Sequence, residues 1–156
     1  MTPAELFASA RVARLATVDD TGAPHLVPIV FALVGDVIYT AVDDKPKRHR
    51  RLRRLANVAH EPRVSVLADH YDDDWTRLWW VRADGTAAVL PDSADGLAAL
   101  AARYPQYTAV PPAGPFLRIE VHRWSFWSAR LGRDAMWLSG PATCPTRHRE
   151  RSWSRH

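Results

Sequence analysis

With 156 residues, 47% of them hydrophobic and 24% charged, the chain has the size and balance of one globular domain. Its net charge of +4 is unevenly laid out: residues 45–54 carry seven of the 21 basic residues and no acid, and residues 144–156 add four arginines against one glutamate, so the remainder is acidic. No stretch approaches the roughly eighteen apolar residues of a membrane helix, no basic and apolar leader is recognisable, and the lone Cys144 cannot close an internal disulfide, so a cytoplasmic protein without membrane contact is expected.

Thr2-Pro3-Ala4-Glu5 spells a capping box with proline in the first turn, which predicts a short helix to about Ala10. Arg11 to Val18 reads as a strand, Asp19 to Pro24 as a turn, and His25 to Leu33 as a second strand whose Pro28 keeps it off a central ladder. After Val34-Gly35-Asp36, Val37 to Val42 completes an antiparallel meander. Leu52, Leu55 and Val58 give the basic segment helical spacing, and Pro62 ends it. Arg63 to Ala68 alternates as a strand. Arg77 to Leu90 is a longer one, interrupted at Asp84-Gly85. Asp92 or Ser93 caps a second helix running to about Arg103, Tyr104 to Pro115 reads as an ordered loop, and Phe116 to Ala129 is the last strand. Gly132 to Leu138 is compatible with a hairpin, and the basic residues 141–156 lack the composition of a core and are expected to be disordered, leaving one domain over 1–140. The result is mainly β with short helices (α+β): six antiparallel strands in a closed or nearly closed barrel, since closure removes exposed edges.

Few residues carry chemistry of their own. Asp69-His70-Tyr71-Asp72-Asp73-Asp74 clusters carboxylates around a histidine, but consecutive aspartates point in different directions and read as a solvated loop, so no metal site is expected. Cys144 has no histidine or acid at motif distance, and no nucleophile triad, P-loop or dinucleotide fingerprint is present, so no catalytic side chain is assigned. His25 follows a turn and reads first as a turn stabiliser. Of Trp75, Trp79, Trp80, Trp124 and Trp127, most are expected in core or subunit interface and about two against a ligand. What stands out is the basic segment. Seven cations without an acid, beginning just before a helix, suit a phosphate: the helix N-terminus offers oriented amides, and Lys45 and Lys47, two apart around Pro46, project to the same side of an extended approach.

The order of short motifs adds to this. Ala13-Arg14-Leu15-Ala16-Thr17-Val18, Gly22-Ala23-Pro24-His25, Pro28-Ile29-Val30-Phe31, Val37-Ile38-Tyr39-Thr40, Lys45-Pro46-Lys47, Glu61-Pro62-Arg63-Val64-Ser65-Val66 and Trp79-Trp80-Val81-Arg82-Ala83-Asp84-Gly85 succeed one another. From about Ala10 to Trp127 the chain resembles the pyridoxamine 5'-phosphate oxidase-like split β-barrel superfamily (the FMN-binding split barrel), and within it the branch that uses the deazaflavin coenzyme F420. The resemblance implies an obligate homodimer with the cofactor in a groove between subunits. It implies Pro28, Ile29 and Val30 along the ring system, and Tyr39 and Thr40 on the strand beside the ribityl or phosphate end. It implies Lys45, Pro46, Lys47 and Arg48 around the phosphate, and Trp80, Val81 and Arg82 approaching from a neighbouring strand. Phe126-Trp127, with Arg130 close behind, resembles an aromatic pair near the end of the family's barrel. Authentic pyridoxamine-phosphate oxidases place arginine and lysine on the second strand, whereas here that strand offers only His25. This departure speaks against pyridoxamine-phosphate oxidation and for F420, with FMN as the alternative cofactor.

The resemblance thus implies an oxidoreductase moving a hydride between F420 and a small organic acceptor. The rivals are an FMN-dependent oxidase or flavin reductase of the same fold, a non-catalytic flavin or deazaflavin carrier, and a nucleic-acid binder using Lys45 to Arg54, which the acidic remainder of the chain disfavours.

Overall fold

The computed structural model describes residues 1–42 and 48–131, the side chains of 48–52 and 131 excepted. The elements run α1 (Pro3–Ser9), β1 (Ala13–Val18), β2 (Pro24–Ile29), β3 (Ala32–Val34), β4 (Val37–Ala41), α2 (Arg48–His60), β5 (Arg63–His70), β6 (Trp79–Leu90), α3 (Ala94–Arg103), α4 (Pro105–Ala109) and β7 (Phe116–Ser128). The capping box forms as its residues dictate: Glu5 N donates to Thr2 Oγ1 at 3.2 Å and Thr2 N to Glu5 Oε2 at 2.7 Å. Ser93, not Asp92, caps α3 by accepting from Gly96 N at 3.0 Å. Asp19 holds the β1–β2 turn by accepting from Thr21 N and Ala23 N, both at 2.9 Å.

All strands join one antiparallel sheet in the order β2-β1-β5-β6-β7-β4-β3. Seven strands stand where six are expected, because His25–Leu33 is not one strand: it leaves β1 at Ile29, crosses Val30 and Phe31, and pairs with β4 from Ala32. That crossing sets the curvature of the whole sheet. β2 and β3 lie at opposite edges, yet the chain from Ile29 to Ala32 can span only about 11 Å, while six flat inter-strand steps need about 29 Å. The sheet must therefore curl until its edges nearly meet.

The inward face forms the main core, with Leu15, Phe31, Ile38, Val66, Val81 and Ile119 among its fully buried side chains. α1 inserts Phe7 into it, against Phe31 at 4.7 Å and Trp124 at 5.3 Å between ring centroids. α2 lies against β1 and β6, adds Val58 to the core, and donates from Asn57 Nδ2 to Thr17 Oγ1 at 3.0 Å, a buried polar pair. A second cluster, built on Leu100, Tyr104, Tyr107 and Phe116, seats α3 and α4 over β3 and β4. The interruption at Asp84-Gly85 is a β-bulge: Asp84 faces Arg123 and Gly85 faces Val121, leaving His122 as the extra residue. Tyr104–Pro115, expected as loop, contains the short helix α4, with Pro105 in its first turn where a missing amide costs nothing. The expected hairpin at 132–138 and the tail 141–156 lie outside the described residues. Among the described residues no helix is long and apolar enough to cross a membrane.

Candidate functional site

The β2–β3 crossing is fixed from two sides. Thr40 Oγ1 donates to the Val30 carbonyl at 2.8 Å, and the Tyr104 hydroxyl accepts from Phe31 N at 3.2 Å. The hydroxyl also lies 2.9 Å from the carbonyls of both Phe31 and Arg11, between which it shares its one proton. Arg103 braces the same point, its guanidinium 4.7 Å from the Phe31 ring centroid while it donates to the carbonyls of Ala8 and Ala10.

Beside this crossing is a groove of about 330 Å³. Pro28, Ile29, Val30 and Thr40 line it together with Val12, Ala41, Tyr107 and Arg54. Four of the residues selected from the sequence thus meet in one place, at the end of β4, from which the chain leads to Lys45 and Lys47. β2 is an edge strand, so part of its backbone faces away from β1 and is open to a ligand's polar rim. The apolar walls and the Arg54 cation suit a flat ring system that carries an anionic group. Thr40 is only 2% exposed, and its hydroxyl proton goes to Val30, so it offers the groove a methyl group and oxygen lone pairs. Tyr39, one residue earlier, points the other way and packs beneath Gly96 of α3, where a Cβ would come within 2.9 Å of its ring.

Lys45, Pro46 and Lys47 lie outside the described residues, and Arg48 is described only as the first residue of α2. Trp80 and Arg82 do not share the groove. They project from the outer face of β6 into a separate cavity of about 660 Å³ with Leu26, Leu67 and Tyr71. Arg82 is held there by Asp84 (Nε to Oδ1, 3.0 Å), which also accepts from Ser65 Oγ at 2.6 Å. Val81 faces inward between them, fully buried in the core, with its strand paired on both sides. Trp127 stands opposite Trp80, while Phe126 turns inward.

His25 is half-buried, and its Nδ1 has no hydrogen-bond partner among the described residues. Burial first, and then the charges of Arg53 and Arg54, push its pKa below the ordinary 6.5, which favours the neutral ring at pH 7. Among the described residues no three His, Cys, Asp or Glu side chains converge as a metal site. Sequence reasoning did not single out Val12, Ala41, Tyr107 or Arg54; Arg54 is one of seven cations in a run, and only the placement of α2 distinguishes it.

The curled antiparallel sheet with helices at its ends is the architecture of flavin-binding split barrels. The pyridoxamine 5'-phosphate oxidase family model matches residues 3–128, and the chain belongs to that family. Among solved structures, a conserved hypothetical protein from Mycobacterium tuberculosis is 25% identical, over 90% of this chain and 94% of that one, with a TM-score of 0.65. A FAD-binding protein from Mesorhizobium loti is 23% identical over 78% and 88%, with a TM-score of 0.59. A heme binding protein from Mycobacterium smegmatis is 22% identical over 90% and 58%, with a TM-score of 0.64. No curated protein matches the chain.

Proposed function

We propose that this protein is an oxidoreductase that transfers a hydride between coenzyme F420 and a small organic acceptor, with the cofactor lying across a groove between two copies of the chain. The observation that carries this reading is the meeting of Pro28, Ile29, Val30 and Thr40 in one groove with Arg54, at the point where β4 gives way to the basic segment. The β2 edge and the crossing hold the ring, Lys45, Lys47 and Arg54 neutralise the phosphate, and a second copy brings Trp80 and Arg82 from its outer face. Bound in its reduced form, F420 would supply a hydride from a ring carbon, and the acceptor would take its proton from water. The absence of arginine and lysine from β2 favours F420 over FMN. FMN on the same groove is the second reading, and the FAD-binding description of the Mesorhizobium loti protein favours it.

Fluorescence titration of the purified protein with F420 and with FMN tests the assignment. Saturable F420 binding at least about tenfold tighter than FMN is expected. The reverse preference replaces F420 by FMN, and binding of neither overturns the reading. Sedimentation equilibrium reads the dimer in the same samples.

A further inference from the structure

The start of α1 and the ends of β5, β6 and β7 enclose a cavity of about 800 Å³ that the F420 groove leaves unused. Arg11, Arg14, Arg77 and Arg130 line it, against a single carboxylate, Asp69. They come from the α1–β1 link, β1, the turn before β6 and the turn after β7, so the fold gathers them from four places. Two are partly neutralised: Arg14 Nη1 lies 2.6 Å from Asp69 Oδ1, and Arg77 Nη1 3.1 Å from Asp72 Oδ2. Arg11 is positioned without being neutralised, since Nη2 donates to the Arg103 carbonyl at 3.1 Å and the guanidinium carbon lies 5.0 Å from the Tyr104 ring centroid. Arg130 has no ion-pair partner among the described residues, and its charge reaches Asp74 only through space.

Between the cations part of the wall is apolar, alongside Thr2, Ser9 and Ser128. Leu6, Trp79 and Phe126 line it, and the His70 ring stacks on Trp79 with centroids 6.2 Å apart and planes inclined by 21°. Val12 lines both this cavity and the Pro28–Val30 groove, so the two sites adjoin at that residue.

We propose that this cavity binds an organic anion with a flat apolar body, and that this anion is the hydride acceptor. Surplus guanidiniums suit a carboxylate, sulfonate or phosphate ester, which they grip through paired N–H donors, and the Trp79–Phe126 wall suits the body that carries it. The anion end belongs with Arg77 and Arg130, and the end to be reduced belongs toward Val12. Calling the anion the acceptor rests on the F420 reading; the binding site does not.

The test uses two naphthalene probes of similar shape, anionic 8-anilinonaphthalene-1-sulfonate and uncharged N-phenyl-1-naphthylamine, titrated by fluorescence into the full chain and into an Arg77→Gln/Arg130→Gln variant. Both arginines are exposed, so the variant should fold, and its melting curve checks that. The expected result is a sulfonate Kd at least about tenfold weaker in the variant, with the uncharged probe shifted less than about twofold. Cofactor affinity should be unchanged in the same variant. No sulfonate binding to the wild type, equal weakening of both probes, or an unchanged sulfonate Kd overturns the proposal. Sulfonate binding that depends on the arginines in a protein that takes neither F420 nor FMN upholds the anion site and removes the F420 reading alone.

Discussion

The Tyr104 hydroxyl sits against both backbone polar groups of Phe31, accepting from its amide at 3.2 Å and lying 2.9 Å from its carbonyl. Tyr104 closes α3, and Phe31 is the point at which one extended run changes ladder partner, 73 residues away in sequence. A side chain thereby replaces the strand partners that Phe31 lost, where a buried unpaired amide would otherwise be costly. The same anchor holds the crossing that borders the groove.

Tyr104→Phe removes that hydroxyl with little change in shape. It should lower stability by about 1–3 kcal/mol, the cost of an unsatisfied buried amide, and weaken cofactor binding along with it, because Val30 adjoins the loosened point. Thermal denaturation checks the first effect. An unchanged melting temperature would show that the crossing does not need Tyr104.

Gly85 faces the Glu120 backbone across the bulge, and a Cβ there would overlap the Glu120 carbonyl. Backbone cannot give way as a flexible side chain can. Gly85→Ala is therefore expected to cost about 2 kcal/mol or more in denaturant unfolding, where Gly22→Ala, at a turn with open space around it, is strained only by its φ of 84°. Equal costs at the two positions would remove the steric account of the bulge.

The strands and helices were largely legible because each carries its own local signal: the box at Thr2–Glu5, the alternation of Arg63 to Ala68, Pro62 closing α2. The break at Val30–Phe31 has no such signal. His25 to Leu33 is a continuous β-compatible run, and what divides it is the Tyr104 hydroxyl and the Thr40 bond, both supplied by distant segments. The resemblance, which rests on the order of motifs, drew attention to Pro28, Ile29, Val30 and Thr40, and these line one groove. The arginine-lined cavity was not legible, since Arg11, Arg14, Arg77 and Arg130 are isolated along the chain and only folding gathers them.

Glu61 carries a pH dependence with a defined sign. Hydrogen bonds from the Arg63 side chain, at 2.7 and 2.8 Å, and then from its amide at 3.1 Å hold the Glu61 pKa down from 4.5 to about 2. A carboxyl depressed on folding stabilises the folded state above its unfolded pKa, and that contribution fades as pH falls from 4.5 to about 2. The melting-temperature gap between wild type and Glu61→Gln should be flat above pH 5, close toward pH 2, and shrink in high salt because the pair is exposed. A gap that grows on acidification would reverse the assignment.

Thr40 can be separated from the cations that would touch a phosphate. Its hydroxyl proton is committed to Val30, so it shapes the groove and does not donate to a ligand. Thr40→Ser keeps the bond and should leave cofactor affinity within about threefold; Thr40→Val loses it and should cost about 1 kcal/mol of stability along with some affinity. If Thr40→Val binds cofactor as the wild type does, the Val30 anchor is dispensable.

Lys47, which precedes α2 in the sequence, and Arg54, which lies on α2 and lines the groove, test the proposed anion end. Each should weaken F420 binding by more than about 1 kcal/mol when changed to alanine, the scale of one charge-assisted hydrogen bond. The loss should be smaller in high salt, because added ions screen the phosphate already. The two effects should combine to less than their sum if both cations face one phosphate, since the second removal acts on a group already partly released. Strict additivity would place the two charges on different parts of the ligand, and an unchanged Kd for both would move the phosphate away from the start of α2 altogether.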